Sequence, residues 1–158
     1  MVTLHHIDAS SGGIDFIKQL FSEYLSELDE DLQFQQVNQE LEDPLKKYAP
    51  PSGSLILAYS EQEVAGCVAL QALDEDGVCE MKRLYVRPEF REHGVGDQLV
   101  TAILNDAIEL GYTKMVLDSL ERLQPAIRLY QKHGFVPTTP YYTNPLPNVV
   151  FFEKQLED

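Results

Sequence analysis

Residues 87–100 read RPEFREHGVGDQLV, and this run holds the most chemically specific spacing in the chain. Gly94 and Gly96 stand two apart, three and five residues after Arg91, where strand-like sequence gives way to an amphipathic run. Paired glycines usually mean that the main chain turns tightly or lets another group approach it closely. Successive backbone N–H groups in such a turn, together with the positive end of the helix that follows, make an anion site. A pyrophosphate suits it, although a plain glycine-rich turn would carry the same residues. It is not a P-loop, since no Gly-Lys-Ser/Thr follows, and it lacks the third glycine and later acid of a dinucleotide fingerprint. Metal chemistry has no foothold: Cys67 and Cys79 lie inside apolar runs, and none of His5, His6, His93 and His133 has a partner at ligand spacing.

The flanking patterns say what positions this loop. VTLHHID (2–8) alternates like a short strand. Ile14, Ile17, Phe21, Tyr24 and Leu28 recur at helical spacing, and Phe34, Val37, Leu41, Leu45 and Tyr48 mark a second helix ending at Pro50-Pro51. SLILAY (54–59) and VAGCVAL (64–70) form a hairpin, and after the Asp76-Gly77 turn VCEMKRLYV (78–86) adds a third strand. In that strand the apolar positions shift from odd (Cys79, Met81) to even (Leu84, Val86). A β-bulge around Lys82-Arg83 would do this, and so would a strand buried on both faces. Val95 to Leu110 is a helix closed by Gly111, KMVLDS (114–119) a buried strand, Ala126 to His133 a helix ending at Gly134, and NVVFFEKQL (148–156) a final strand. The order β-αα-βββ-α-β-α-(β)-β implies an α/β (α+β) fold: a mixed, mostly antiparallel twisted sheet of six to seven strands with about four helices.

A chain of 158 residues fits a single domain, 1–158, with a sizeable core. No apolar run approaches the ~20 residues of a membrane span, and the start shows no signal-peptide pattern. With the buried, reduced state expected of both cysteines, this points to the cytoplasm. A net charge of −14 argues against nucleic acid. Residues 1–80 hold 16 of the 26 acids and only 3 of the 12 bases, whereas residues 81–158 hold 10 and 9.

Taken together, LYVRPEFREHGVGDQLV, the next helix, KMVLDS and AIRLYQKHGF resemble the GNAT superfamily of acyl-CoA N-acyltransferases. Val86, Pro88, Arg91, Gly94 and Gly96 match that family's acyl-CoA loop, and Ala126, Leu129, Tyr130, Gly134 and Phe135 its second signature. The strong likeness covers residues 78–136. It implies that the N–H groups of Arg91, Glu92, His93, Gly94, Val95 and Gly96 hold the coenzyme A pyrophosphate, with side chains at the two glycines excluded by the phosphates. It implies a pantetheine arm along Leu84, Tyr85 and Val86, with Leu117, Asp118 and Ser119 opposite, Ala126 and Leu129 beside it, and a strand N–H as oxyanion donor. Acetyl-CoA is then the cosubstrate, with no metal. The chain departs from the pattern at Leu123, where many relatives have an asparagine that helps to bind the cofactor arm.

Transfer to an amine requires removal of a proton from the nucleophile, directly or through water. Glu80 is the carboxylate of the strand leading into the loop, and so the candidate base; a strand glutamate paired to a lysine or solvated is the alternative. Tyr130 matches the family's frequent general acid for the leaving thiolate; plain helix packing is the alternative. The acidic run Glu23, Glu27, Asp29, Glu30 and Asp31, and the loop TTPYYTNPLPN (138–148) with Tyr141, Tyr142 and Asn144, would wall the acceptor site. An acidic wall would draw a cationic amine, although acidic helix faces are commonly just solvated. The leading expectation is an N-acetyltransferase acting on a primary amine of a small molecule or peptide. A non-catalytic acyl-CoA-binding module, a longer acyl donor and a homodimer stay open.

Overall fold

The computed structural model describes residues 1–32, 35 and 37–157. Its elements are β1 (Val2–His6), α1 (Ile14–Leu28), α2 (Val37–Glu42), α3 (Pro44–Tyr48), β2 (Ser54–Ser60), β3 (Glu63–Ala72), β4 (Val78–Val86), α4 (Val95–Glu109), β5 (Lys114–Leu120), α5 (Gln124–Lys132), β6 (Val136–Pro137) and β7 (Val149–Gln155). One 3₁₀ turn, Pro88–Phe90, links β4 to the glycine loop. The strands form one sheet in the order β1-β2-β3-β4-β5-β7-β6, antiparallel everywhere except between β4 and β5.

The expected mixed sheet is therefore present with seven strands, and the helices number five among the described residues. The extra helix comes from a break in the second helical pattern: Asp43 leaves the helical region (φ −147°, ψ 85°) ahead of Pro44, which opens α3. Proline crowds the residue before it out of the α region and supplies no N–H of its own. Phe34, the first apolar position expected of that helix, lies outside the described residues.

The sheet is packed on both faces, which is why β2 and β3 read as continuous apolar runs. On one face Ile56, Val68, Leu70, Cys79 and Met81 meet α4 through Leu99, Ile103 and Ala107 and α5 through Ile127 and Tyr130. On the other, Leu55, Leu57, Cys67 and Tyr85 meet Ile17, Leu20 and Phe21 of α1 and Tyr48 of α3. Burying each such side chain contributes roughly 1.5–3 kcal/mol.

The phase slip in β4 is a bulge. Cys67 pairs with Tyr85 and Ala69 with Lys82, so one extra residue of β4 is accommodated there, and Arg83 takes a left-handed φ of 59°. Cys79, Met81, Leu84 and Val86 consequently all turn toward α4. Lys82 and Arg83, adjacent in sequence, both turn toward the α1–α3 side.

Candidate active site

The parallel pairing of β4 with β5 is confined to Val78–Glu80 against Lys114–Val116. Past that point β4 runs on through the bulge to Val86 and β5 to Leu120, with no register between them. Main-chain groups on these facing edges need partners, as buried backbone always does. An extended, amide-bearing ligand can supply them by adding itself as a strand. Leu84, Tyr85 and Val86 form one side of the opening; Leu117, Asp118 and Ser119 form the other. Ser119 lines a small cavity of about 30 Å³ there with Tyr24, Arg83, Asp118 and Leu123. Leu123, the residue just before α5, is partly buried and packs against the Leu28, Leu32, Val37 and Leu120 cluster, bringing an apolar side chain to this cavity.

At the far end of the opening, the glycine loop leads into α4. The Arg91 N–H already donates to the Pro88 carbonyl (3.3 Å). Among the described residues no backbone carbonyl accepts from Glu92, His93 or Gly94, and the first turn of α4 has no side-chain cap. These donors converge at the positive end of a 15-residue helix. Gly94 has φ 82°, and a Cβ placed on it would meet nothing within 4 Å. Gly96 also answers to a packing constraint. A Cβ there would lie 3.2 Å from Leu129 Cδ2 and 3.7 Å from Val86 Cγ2, so this glycine lets α4 pack on α5 and β4. Ala126 and Leu129 both pack along the edge of the α4-side core.

The cations beside the loop are engaged elsewhere. The Arg91 guanidinium reaches both Glu27 oxygens at 2.8 Å and the Val86 carbonyl at 2.8 Å, and lies over the Tyr85 ring. Arg87 makes a two-pronged pair with Glu23 (3.0 and 2.9 Å). Tyr85 donates to Glu23 as well, at 3.3 Å, and burial pushes its phenol up to about 12. Three of the five acids expected to wall the acceptor site, Glu23, Glu27 and Glu30, are thus matched with arginines, Glu30 lying 3.7 Å from Arg122. Asp97 in the first turn of α4 is held by Lys132 (3.0 Å) and His133 (2.6 Å), whose hydrogen bonds keep its carboxyl below the usual range. The loop therefore presents main-chain N–H groups as its free donors.

On the α1–α3 side of the opening lies a cavity of about 470 Å³, walled by β4, β5 and the β6–β7 loop. Glu80 is buried (4% exposed) and faces it. Gln71 donates to its Oε1 at 2.6 Å and the Tyr141 hydroxyl donates to its Oε2. Neither predicted alternative holds, since the carboxylate is neither paired with a lysine nor left in solvent. Two donors fix it while each oxygen keeps room for a further proton donor. Beside it the Tyr142 hydroxyl donates to Asp118, as does Asn144 Nδ2 at 3.2 Å, and Gln35 Nε2 reaches the Tyr142 oxygen at 3.3 Å. Burial, and then the neighbouring carboxylates Glu80 and Asp118, push both phenols well above their usual range.

Tyr130 projects from α5 with its ring against Phe135 and Phe152 (centroids 6.1 and 6.4 Å). Burial first, then Tyr24 and Asp118, hold its phenol above the ordinary range, so it keeps its proton. No hydrogen bond engages its hydroxyl among the described residues, which leaves that group free to donate to a ligand.

The sequence reading missed three things here. Lys82 and Gln35 enter the cavity, and Glu40 of α2 forms a buried pair with Arg83 (Nε–Oε2 2.6 Å, Nη2–Oε1 3.1 Å) that also receives the Tyr48 hydroxyl at 2.7 Å. Lys82-Arg83 inside an otherwise apolar strand was the available signal. No group of three or more His, Cys, Asp and Glu side chains is placed to hold a metal among the described residues.

The model of the acetyltransferase (GNAT) family matches residues 14–135. The chain belongs to the GNAT family. This acetyltransferase is 49% identical over 144 residues to an uncharacterized N-acetyltransferase of Schizosaccharomyces pombe, covering 90% of its own length and 88% of that protein. Its fold is that of a GNAT-family acetyltransferase of Staphylococcus aureus (TM-score 0.80, 18% identity, 99% and 100% of the chains covered). It is also that of a GNAT-family acetyltransferase of Elizabethkingia anophelis solved with acetyl-CoA bound (TM-score 0.68, 24% identity, 98% of each chain). Family membership makes the chain an acetyl-CoA-dependent N-acetyltransferase. No described helix of this acetyltransferase is long and apolar enough to cross a membrane.

Proposed function

We propose that the enzyme acetylates the primary amine of a small molecule or peptide, binding acetyl-CoA in the β4–β5 opening and the amine in the 470 Å³ cavity. The observation that carries this is the position of Glu80, the last β4 residue paired with β5 and a buried carboxylate facing that cavity. Acetyl-CoA supplies the acetyl group as a thioester. The residues that would hold it are the 92–96 main chain at the pyrophosphate, and Leu84, Tyr85 and Val86 with Ser119 along the arm. A fixed N–H of β4 aimed at the thioester oxygen stabilises charge there without reorganising.

Glu80, held by Gln71 and Tyr141, receives the proton of the incoming ammonium, directly or through water. The cavity lining sets four carboxylates, Asp74, Glu75, Glu80 and Glu153, against three lysines, Lys47, Lys82 and Lys114, so its net charge favours a cationic group only slightly. Tyr130 donates its hydroxyl to the departing sulfur. The buried free thiols Cys67 and Cys79 suit a reducing compartment such as the cytoplasm.

The test is a calorimetric titration of acetyl-CoA into the enzyme and into Gly94→Val, followed by acetylation of an amine panel. Binding lost in Gly94→Val, whose β-branched residue cannot keep the left-handed turn, supports the loop assignment. Tyr130→Phe is expected to lower kcat by roughly 10²-fold with acetyl-CoA affinity kept. Equal turnover of Tyr130→Phe and the parent removes the tyrosine from the mechanism.

A further inference from the structure

The acceptor cavity contains a buried lysine that makes no direct ion pair among the described residues, although Glu80 and Asp118 act on it from a distance. Lys82 is 7% exposed, and among the described residues its Nζ makes one hydrogen bond, to Gln35 Oε1 at 2.9 Å. Among the described residues no carboxylate lies within 4 Å of it. Of its neighbours, Arg83 is matched with Glu40 at 2.6 Å and Lys47 with Glu40 at 3.4 Å, while the less buried Lys114 also lines the cavity. A buried ammonium with no carboxylate in contact is costly, and a direct partner lowers that cost. Burial also holds the Lys82 pKa below the ordinary lysine range, which a bound anion would relieve.

Its surroundings are built to keep it aimed. Gln35 accepts from Lys82 through Oε1 and reaches Tyr142 through Nε2, so reversing the amide would lose both bonds. Tyr142 in turn is tied to Asp118. Lys82 stands two residues beyond Glu80 on the same face of β4, which separates their Cα atoms by about 7 Å. The wall thus offers a hydrogen-bonded carboxylate and an unpaired ammonium side by side. A dianion fits less well than a monoanion, because Glu80 and Asp118 flank the lysine.

We propose that the acceptor is an amino carboxylate, its amine received by Glu80 and its carboxylate by Lys82 as oriented by Gln35. This rests on the cavity being the acceptor site of the reading above. Peptide amines whose carboxylate lies far from the amine are then poor acceptors, and compact amino acids good ones.

The experiment compares initial rates for matched acceptors: α-amino acids, β-alanine and γ-aminobutyrate, each beside its carboxamide. At least one acid is expected to exceed its amide by 10-fold or more in kcat/KM, the difference lying in KM. Lys82→Gln should bring that ratio close to one, and Lys82→Arg should restore part of it. Parent ratios near one, with the amides acetylated, overturn the carboxylate assignment and leave acetyl transfer standing. A loss in Lys82→Gln that falls equally on acids and amides overturns it too. If acetyl-CoA binds and no amine of any kind is acetylated, the acceptor-site reading fails and this inference with it.

Discussion

The two faces of the sheet are packed by different means. The α4–α5 face is closed almost wholly by hydrocarbon and aromatic side chains. The α1–α3 face shares its apolar cluster with Glu40, Glu80, Lys82 and Arg83, all buried. The first layer can hold its helices by burial alone and carries the uncapped N-terminal end of α4, proposed above as the pyrophosphate site. The second binds its helices through charge as well, and has charge left over to present to an acceptor. Charge is thus concentrated in the core of one face, while the other keeps Tyr130 within a core that is otherwise apolar.

That contrast can be broken most severely at the buried pair. Arg83→Met should cost about 3–5 kcal/mol in urea unfolding, because Glu40 is then a buried charge without its partner. Adding Glu40→Gln should recover part of the loss, since the amide still accepts from Tyr48 while removing the charge. On the apolar face, Leu99→Ala should cost about 2–5 kcal/mol, and no second substitution of a charged residue should restore it.

The pair also gives the α1–α3 face a pH signature. Burial would raise the Glu40 carboxyl, but Arg83 overrules it and holds the carboxyl below its usual value. A depressed folded-state pKa contributes stability that is full above the ordinary glutamate range and is lost as pH falls through the depressed value. The stability gap between the parent and Glu40→Gln should accordingly shrink as urea midpoints are measured from about pH 6 down to pH 3. A gap independent of pH would deny the pair that role. The smallest effect is expected at Arg91→Ala, where the partly exposed pair with Glu27 is worth under about 1 kcal/mol.

Legibility in the sequence follows the same division. The bounds of β4, its phase slip, α4 and the glycine loop could all be read, because each is a local pattern. Pro44 could have been read as well: a proline inside a helical period signals the break that divides α2 from α3. The partners of charges could not. Glu23 and Glu27 are matched by arginines 64 residues onward, and Glu40 by one 43 residues onward. Periodicity holds no information over such distances, so Glu23 and Glu27 read as an acceptor wall when they are half of a set of ion pairs. Gly96 was legible as a close approach, but its packing against Leu129 and Val86 was not.

The two cysteines are divided between the layers, Cys67 in the α1–α3 cluster and Cys79 in the α4 cluster. Burial pushes both thiols up, Cys79 to about 12, so at neutral pH neither is a thiolate while its layer is closed. An alkylating reagent would therefore reach each sulfur only through an opening of its own layer, and mass spectrometry can tell the two adducts apart. The enzyme carries a separate clock on either side of its sheet, and their relative rates time which side loosens first.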